Sequence, residues 1–369
     1  MKVLTVFGTR PEAIKLAPII KEMEKRDNIE SVICVTGQHR EMLDQVLAIF
    51  EIEPDYDLNI FQSGQSLTDI TIRSMKGIED VIKKEEPDLL LVQGDTSTVF
   101  TAALTAFYNG VKIGHVEAGL RSGNIFSPFP EEANRQLTGI VTSLHFAPTV
   151  NNKENLLKEN YDADQIFITG NTVIDALGYT VTDSFEFNDK ALNSIDFENN
   201  KVILLTSHRR ENLGEPMKNV FSAINDVVNA NDNVKVVFPM HLNPKVRELA
   251  RKEFEGNENI ILIEPLEYLE FSNLMSKCYF IVTDSGGIQE EAPSLEKPVL
   301  VIREETERQE GIEAGTAKLI GTKYDDVFAS VNELLNDENE YSKMASSVNP
   351  YGDGKASERI VDIIVEKLK

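Results

Sequence analysis

Apolar positions along the chain follow two rhythms. Short unbroken runs rich in Val, Ile and Leu alternate with longer stretches in which apolar residues recur every three or four positions. The first kind reads as strands buried on both faces, the second as helices packed by one face. In the first half the strand-like runs are Lys2–Phe7, Val32–Thr36, Leu89–Gln93, Lys112–Val116 and Leu144–Ala147, with Gln165–Gly170 after them. Helices are expected where Ile14, Ala17, Ile20 and Met23 share a face, from about Glu41 to Phe50, from about Leu67 to Lys84, and near Asn151–Glu159. The second half restarts the alternation with strands at Lys201–Thr206, Val234–Pro239, Asn259–Ile263 and from Tyr279, and a helix at Tyr268–Ser276. Pro298–Ile302 reads as the last strand. In the tail, Ile360, Ile363, Ile364 and Leu368 stand at helical spacing, so a terminal helix can pack back across the first domain.

Strand–helix alternation in two halves predicts an α/β chain of two Rossmann-like domains, with parallel sheets facing across a cleft. The polar stretch Asp183–Asn200 marks the boundary. The domains are expected at 1–175, joined by a helix at 355–369, and at 176–354. A length of 369 residues suits two cores of roughly 150 to 180 residues each. The formal charge of −24 argues against a nucleic-acid surface or an anionic membrane face, while leaving room for a locally basic pocket. Cys34 and Cys278 sit in apolar strand-like contexts and read as buried inert thiols, which fits a cytoplasmic setting. The N-terminal apolar run is too short for a signal peptide, and no run reaches transmembrane length. No Gly-x-Gly-x-x-Gly follows a strand, there is no Walker lysine loop, and no His/Cys cluster has metal-ligand spacing.

Chemistry-bearing residues fall just after strands, where open parallel sheets bind ligands. Asp284-Ser285-Gly286-Gly287 ends a strand before a helix, a place where backbone N–H groups can meet a phosphate. Glu290 and Glu291 nearby can equally serve as helix-capping charges. Arg10 and Lys15 make a cationic helix mouth or a solvated basic pair. Asp95, Glu117 and Glu131 come from separate loops, and convergence would raise a pKa towards neutrality and supply general acid and base groups. Asp95 and Glu131 can instead cap their helices. His208 with Arg209 suits a leaving phosphate, and Arg308 offers a further cation in a charged loop.

Taken together, the motifs resemble one family, the non-hydrolysing UDP-N-acetylglucosamine 2-epimerases. The resemblance rests on Val6-Phe-Gly-Thr-Arg-Pro-Glu-Ala-Ile-Lys15, Gln38-His-Arg-Glu-Met-Leu-Asp44, Gly94-Asp-Thr96, Gly114-His-Val-Glu-Ala-Gly-Leu-Arg121 and Phe129-Pro-Glu-Glu-Ala-Asn-Arg135 in the first half. Gly170-Asn-Thr-Val-Ile-Asp175, His208-Arg-Arg-Glu211, His241-Leu-Asn-Pro244 and Thr283-Asp-Ser-Gly-Gly-Ile-Gln-Glu-Glu-Ala-Pro293 complete it. It implies the two-domain glycosyltransferase-B architecture, with UDP held mainly by the C-terminal domain. The implied reaction is reversible epimerisation at carbon 2 of UDP-N-acetylglucosamine to UDP-N-acetylmannosamine, by elimination and re-addition of UDP through a glycal, without a cofactor or a metal. Asp95, Glu117 and Glu131 match the catalytic carboxylates, with acid and base undetermined, and His208 joins them.

By the same resemblance Ser285, Gly286 and Gly287 hold the diphosphate and Glu291 the ribose. Phe271 and the backbone near Leu266 hold the uracil, while Arg10, Lys15 and Arg308 complete the site. Gln38, His39, Arg73, Arg209 and His241 match an activator site for a second UDP-N-acetylglucosamine, with Glu41 a charged residue in that region. A homodimer and a role in surface polysaccharide or glycan synthesis are also implied. A glycosyltransferase, a hydrolysing epimerase and a sugar-nucleotide sensor are the competing readings.

Overall fold

The computed structural model describes every residue except Gln38, His39, Phe61 and Ser63. The chain divides into two compact units, Met1–Tyr179 with Tyr351–Lys369, and Thr180–Pro350.

Among the described residues the first unit carries seven strands: β1 (Lys2–Phe7), β2 (Glu30–Val35), β3 (Tyr56–Asp57), β4 (Leu89–Gln93), β5 (Lys112–Val116), β6 (Leu144–Ala147) and β7 (Ile166–Ile168). They form one parallel sheet in the order β3-β2-β1-β4-β5-β6-β7. Helices on both faces explain why central strands read as continuous apolar runs. Val3, Leu4, Val6 and Leu89 to Val92 are all fully buried. Strand order reverses between β1 and β4, and the crevice beyond the carboxyl ends at such a switch point is where open α/β sheets take ligands. The terminal helix Ala356–Lys367 returns to this unit and buries Ile360, Val361 and Ile364 against it. Asp175 holds its start, accepting the N–H groups of Ala356 at 3.2 Å and Ser357 at 2.7 Å.

The second unit repeats the plan with six strands: β8 (Lys201–Thr206), β9 (Val234–Pro239), β10 (Ile260–Ile263), β11 (Phe280–Thr283), β12 (Val299–Val301) and β13 (Ala317–Leu319). All pair in parallel in the order β10-β9-β8-β11-β12-β13, so its switch point lies between β8 and β11. Its core joins the helix Glu215–Asn229 to the sheet through Phe221, Phe238 and Phe254, all buried.

The structure differs from the sequence reading in three places. Pro298–Ile302 is not the last strand, because β13 adds a further edge beyond β12. At three residues, with Lys318 exposed in its middle, it carries almost no periodic signal. The division falls at Tyr179/Thr180, just ahead of the polar stretch Asp183–Asn200 expected to mark it, so that stretch belongs to the second unit. Its polar surface covers Phe187, Leu192 and Ile195, all buried, and Phe187 packs edge-on to Phe185 at 5.2 Å. The helices Tyr324–Asn336 and Glu338–Ala345 were likewise not anticipated. Both cysteines are buried, and loss of hydration pushes each thiol up to about 12, as expected of inert core residues. Among the described residues no helix is long and apolar enough to cross a membrane.

Candidate active site

In the first unit, β1 is followed by Gly8, where only glycine fits: a Cβ there would lie 2.1 Å from the Thr36 hydroxyl. The next residue, Thr9, caps the helix Arg10–Glu24 in a reciprocal capping box with Glu12. Glu12 is buried and gathers the turn around itself. Its Oε2 accepts the N–H groups of Gly8 at 2.8 Å and Thr9 at 2.7 Å, and the Thr9 hydroxyl at 3.0 Å. The other oxygen accepts the hydroxyl of Thr96, which ties the turn after β1 to the turn after β4. Burial raises the Glu12 pKa, and these donors only partly oppose it. The result is a fixed turn that presents Arg10, half-buried, at the first position of the helix.

Two of the three expected carboxylates meet in this unit. Glu117 follows β5 in the left-handed backbone region, at φ 65°, an arrangement that costs a non-glycine residue about 1–3 kcal/mol. Its Oε1 accepts Lys15 Nζ at 2.6 Å, and its Oε2 accepts the Gln93 amide from the end of β4. Lys15 is therefore not a solvated basic residue; it pairs with a carboxylate 102 positions away.

Asp95 follows Gly94, whose absent Cβ would stand 3.8 Å from Glu117 Oε2. Arg135 lies 2.6 Å from Asp95 Oδ2, and the Asn134 amide donates to the Asp95 carbonyl at 2.9 Å. Burial raises the Asp95 pKa; the Arg135 charge opposes this and the nearby Glu117 charge adds to it. His115, buried on β5, donates through Nε2 to the Gly94 carbonyl at 2.7 Å, and burial lowers its pKa to about 4. A neutral ring thus ties the Asp95 turn to the strand that delivers Glu117. The reading of Asp95 as a helix cap fails, because Thr96 caps Ser97–Tyr108, accepting the Val99 N–H at 3.4 Å. Glu131 opens the helix Glu131–Val141, half-buried behind Pro130, so its capping charge remains consistent with its position.

In the second unit the ends of β8 and β11 are bound to each other. Thr206 and Thr283 share a hydroxyl bond of 2.6 Å, and Asp284, fully buried, accepts at Oδ2 from the N–H groups of His208 at 2.9 Å and Arg209 at 3.0 Å. Ser207 Oγ and the Asn212 amide donate to the same oxygen, each at 3.1 Å. Burial alone would raise this carboxyl; the bond and charge of His208 and the two N–H groups outweigh it and hold its pKa below the usual range. Asp284 Oδ1 stands 2.9 Å from Nδ1 of His208, whose exposed ring stacks on His241 at 5.8 Å.

Beyond β11, Ser285 precedes the helix Gly286–Glu291. Gly286 and Gly287 occupy its first positions, whose N–H groups have no partner within a helix. Arg308 lies over this turn, its Cζ 3.2 Å from where a Gly286 Cβ would stand. Glu290 holds Arg308 Nε at 2.9 Å, which gives Glu290 a task that sequence reasoning left open. A relay also joins Arg308 to the turn: its N–H donates to Thr306 Oγ1, that hydroxyl to Gln289 Oε1, and the Gln289 amide to the Ser285 carbonyl, at 3.1, 2.8 and 3.0 Å.

The capping reading of Glu290 and Glu291 is corrected, since both lie at the carboxyl end of that six-residue helix. Glu291 instead approaches the Tyr268 hydroxyl, which burial and this carboxylate push well above the phenol range. Phe271 and Leu266 are half-buried at and just before the helix Tyr268–Lys277.

The residues expected at an activator site belong to both units. Gln38 and His39 lie outside the described residues. Arg73, in the first unit, donates to Gln65 at 2.9 Å and to the Ile60 carbonyl. In the second unit Arg209 donates through Nε to the Asp284 carbonyl at 2.9 Å, and His241 Nδ1 accepts the Asn243 N–H at 3.1 Å.

Sequence reasoning missed Glu12, Gln93, His115, Arg135 and Asp284 as parts of these arrangements. Only Glu12 carried a readable sign, the Thr-x-x-Glu capping pattern. The other partnerships depend on tertiary proximity.

Comparison with known proteins adds a family. A model of the UDP-N-acetylglucosamine 2-epimerase family matches residues 21–365. The chain is 55% identical over 362 residues to the UDP-N-acetylglucosamine 2-epimerase of Bacillus subtilis, covering 98% of this chain and 94% of that one. It is 50% identical over 370 residues to that of Escherichia coli, covering 99% and 98%. Among solved structures, the Neisseria meningitidis UDP-GlcNAc 2-epimerase bound to UDP-GlcNAc superposes with a TM-score of 0.88 at 50% identity, covering 99% of this chain and all of that one. The Methanocaldococcus jannaschii enzyme in complex with UDP-GlcNAc and UDP gives 0.78 at 36% identity, with the same coverage.

Proposed function

The chain belongs to the UDP-N-acetylglucosamine 2-epimerase family, and from that membership we propose how its residues divide the work of epimerising UDP-N-acetylglucosamine at carbon 2. It is an isomerase acting on a nucleotide sugar, with UDP-N-acetylmannosamine as the epimer. The observation that carries the mechanistic reading is the cluster at the first unit's switch point, where Asp95 and Glu117 stand together, each paired with a cation.

A proton on carbon 2 has no neighbouring carbonyl and is a weak acid. A carboxylate of the Asp95, Glu117 and Glu131 set takes it as the bond from carbon 1 to the diphosphate oxygen breaks. The electron pair of the C–H bond becomes the double bond of a glycal, and the pair of the C–O bond leaves with UDP. Re-addition of the UDP oxygen at carbon 1, with a proton delivered to carbon 2 from the opposite face, completes the inversion. Burial that raises the Asp95 pKa suits a group that takes up and returns a proton.

Stabilising the departing diphosphate assists the deprotonation, because charge leaving carbon 1 acidifies its neighbour. Ser285, Gly286 and Gly287 with Arg308 above them are assigned to that anion, together with His208 and Arg10. Glu291 is assigned to the ribose, and Phe271 with the backbone near Leu266 to the uracil. The ordered relay from Arg308 to the Ser285 carbonyl supports this assignment, since it holds the cation and the glycine turn in one geometry.

Incubation with UDP-N-acetylglucosamine in heavy water, followed by proton NMR, tests the reading. The expected product is UDP-N-acetylmannosamine with deuterium at carbon 2. Accumulation of free sugar, or an epimer without deuterium, would refute the elimination route. Asp95→Asn or Glu131→Gln is expected to slow exchange by about 10²–10⁴-fold, and normal turnover would remove that residue from the catalytic set.

A further inference from the structure

His208 presents an exposed ring that faces a buried carboxylate through one nitrogen. Nδ1 stands 2.9 Å from Asp284 Oδ1, and Asp284 is itself completely buried. Four donors converge on the other oxygen of that carboxylate: the N–H groups of His208 and Arg209, Ser207 Oγ and the Asn212 amide. The carboxylate therefore cannot rotate without breaking several bonds at once, so Oδ1 is held in place facing the imidazole. Asn212 also donates to the Ile302 carbonyl at 3.2 Å, which anchors the arrangement to the end of the neighbouring strand β12. The anchor follows from topology: β8 and β11 are adjacent parallel strands with Thr206 opposite Thr283, so residues just after each meet.

We propose that Asp284 is the positioning residue for His208, fixing the imidazole with its proton on Nδ1 and Nε2 turned to the substrate. A carboxylate accepts but does not donate, so the nitrogen facing it must carry hydrogen in both charge states of the ring. Nε2 is then left as the nitrogen that gains or gives the proton exchanged with the departing or returning diphosphate. When Nε2 is protonated, the imidazolium gains from the carboxylate behind it; when it is not, the same contact keeps the lone pair aimed outward. The His241 ring lies against one face of the imidazole, with centroids 5.8 Å apart, and opposes rotation about the axis through Nδ1. Asp284 does not touch substrate in this scheme. It acts through His208, and the inference rests on the reading of His208 as a group that contacts the diphosphate.

The test separates this role from mere support of the fold. With five histidines in the chain, long-range proton–nitrogen spectra can resolve each ring, and loss of one set in His208→Asn assigns His208. The wild-type ring should be protonated on Nδ1 when neutral, and finding it on Nε2 overturns the proposal without any variant. Asp284→Asn should shift the neutral ring towards the Nε2–H form and reduce kcat by up to about 10⁴-fold.

In a His208→Asn background the same change should cost less than about threefold, because its route of action is already gone. Asn212→Ala removes a donor from the other oxygen and should lower thermal stability while leaving the His208 tautomer unchanged. An unchanged tautomer in Asp284→Asn, or losses that multiply in the double variant, would overturn the assignment. The spectra report on His208 whether or not the chain epimerises the nucleotide sugar, so failure of the reaction scheme is distinguishable from failure of this inference.

Discussion

Glu12 offers the sharpest test of how the first unit's site is held. Replacing it with alanine leaves the N–H groups of Gly8 and Thr9 without the acceptor they share, and both are backbone donors that cannot turn elsewhere. The Thr9 and Thr96 hydroxyls, by contrast, can rotate to other partners. At about 1–3 kcal/mol per buried unsatisfied donor, the loss is about 2–6 kcal/mol. Global melts of a two-unit chain are not two-state, so the assay is native-state hydrogen exchange read on the amides of β1 and the helix Arg10–Glu24. Protection there should fall by about 30-fold to 10⁴-fold, with segments of the second unit unaffected.

Glu12→Gln keeps the shape and one acceptor, and it isolates the charge. Because burial raises the Glu12 pKa, the folded chain binds that proton more tightly than the unfolded one. Its contribution is then fully present below the unfolded-state pKa and is lost as pH rises through the folded value. Relative to the parent, Glu12→Gln should therefore gain protection as pH rises from acid towards neutrality. Protection within about threefold of the parent for Glu12→Ala, or a Glu12→Gln difference that does not vary with pH, would refute the reasoning.

Two further outcomes follow from the same contacts. Arg135→Gln removes a charge that opposes the burial-driven rise of the Asp95 pKa, so the acidic limb of the pH–rate profile set by Asp95 should move upward; a limb that stays in place or moves down would count against the pairing. Asp175→Ala strips the acceptor from the first N–H groups of the terminal helix, and exchange across Ala356–Lys367 should accelerate by at least about tenfold, corresponding to a loss of about 1.4 kcal/mol or more.

The central strands were legible because burial on both faces writes itself as an unbroken apolar run. Leu89–Gln93 and Lys112–Val116 are found with the boundaries the pattern implies. Two edge strands were not, β3 with two residues and β13 with three, although the other edges, β7 and β10, were. Candidate residues were legible by place rather than by partner. Asp95, Glu117, His208 and Ser285 stand out because each directly follows a strand end or its turn. Nothing along the chain tells that Lys15 pairs with Glu117, that Arg135 faces Asp95, or that Asp284 supports His208, since those pairings are products of strand order. The alternative uses of Asp95, Glu290 and Glu291 as caps fell for the same reason. They were settled by which residue the folded turn places at the helix start.

The return of Ala356–Lys367 to the first unit makes the second unit an insertion within it. In the order of synthesis, Thr180–Pro350 is complete and contiguous before the first unit has received its last helix. The unit that starts emerging first is thus finished last. Until Ile360, Val361 and Ile364 arrive, the surface that they cover stays open to water. During synthesis the first unit therefore closes only once Ala356–Lys367 has emerged, with Asp175 already in place to receive the helix start.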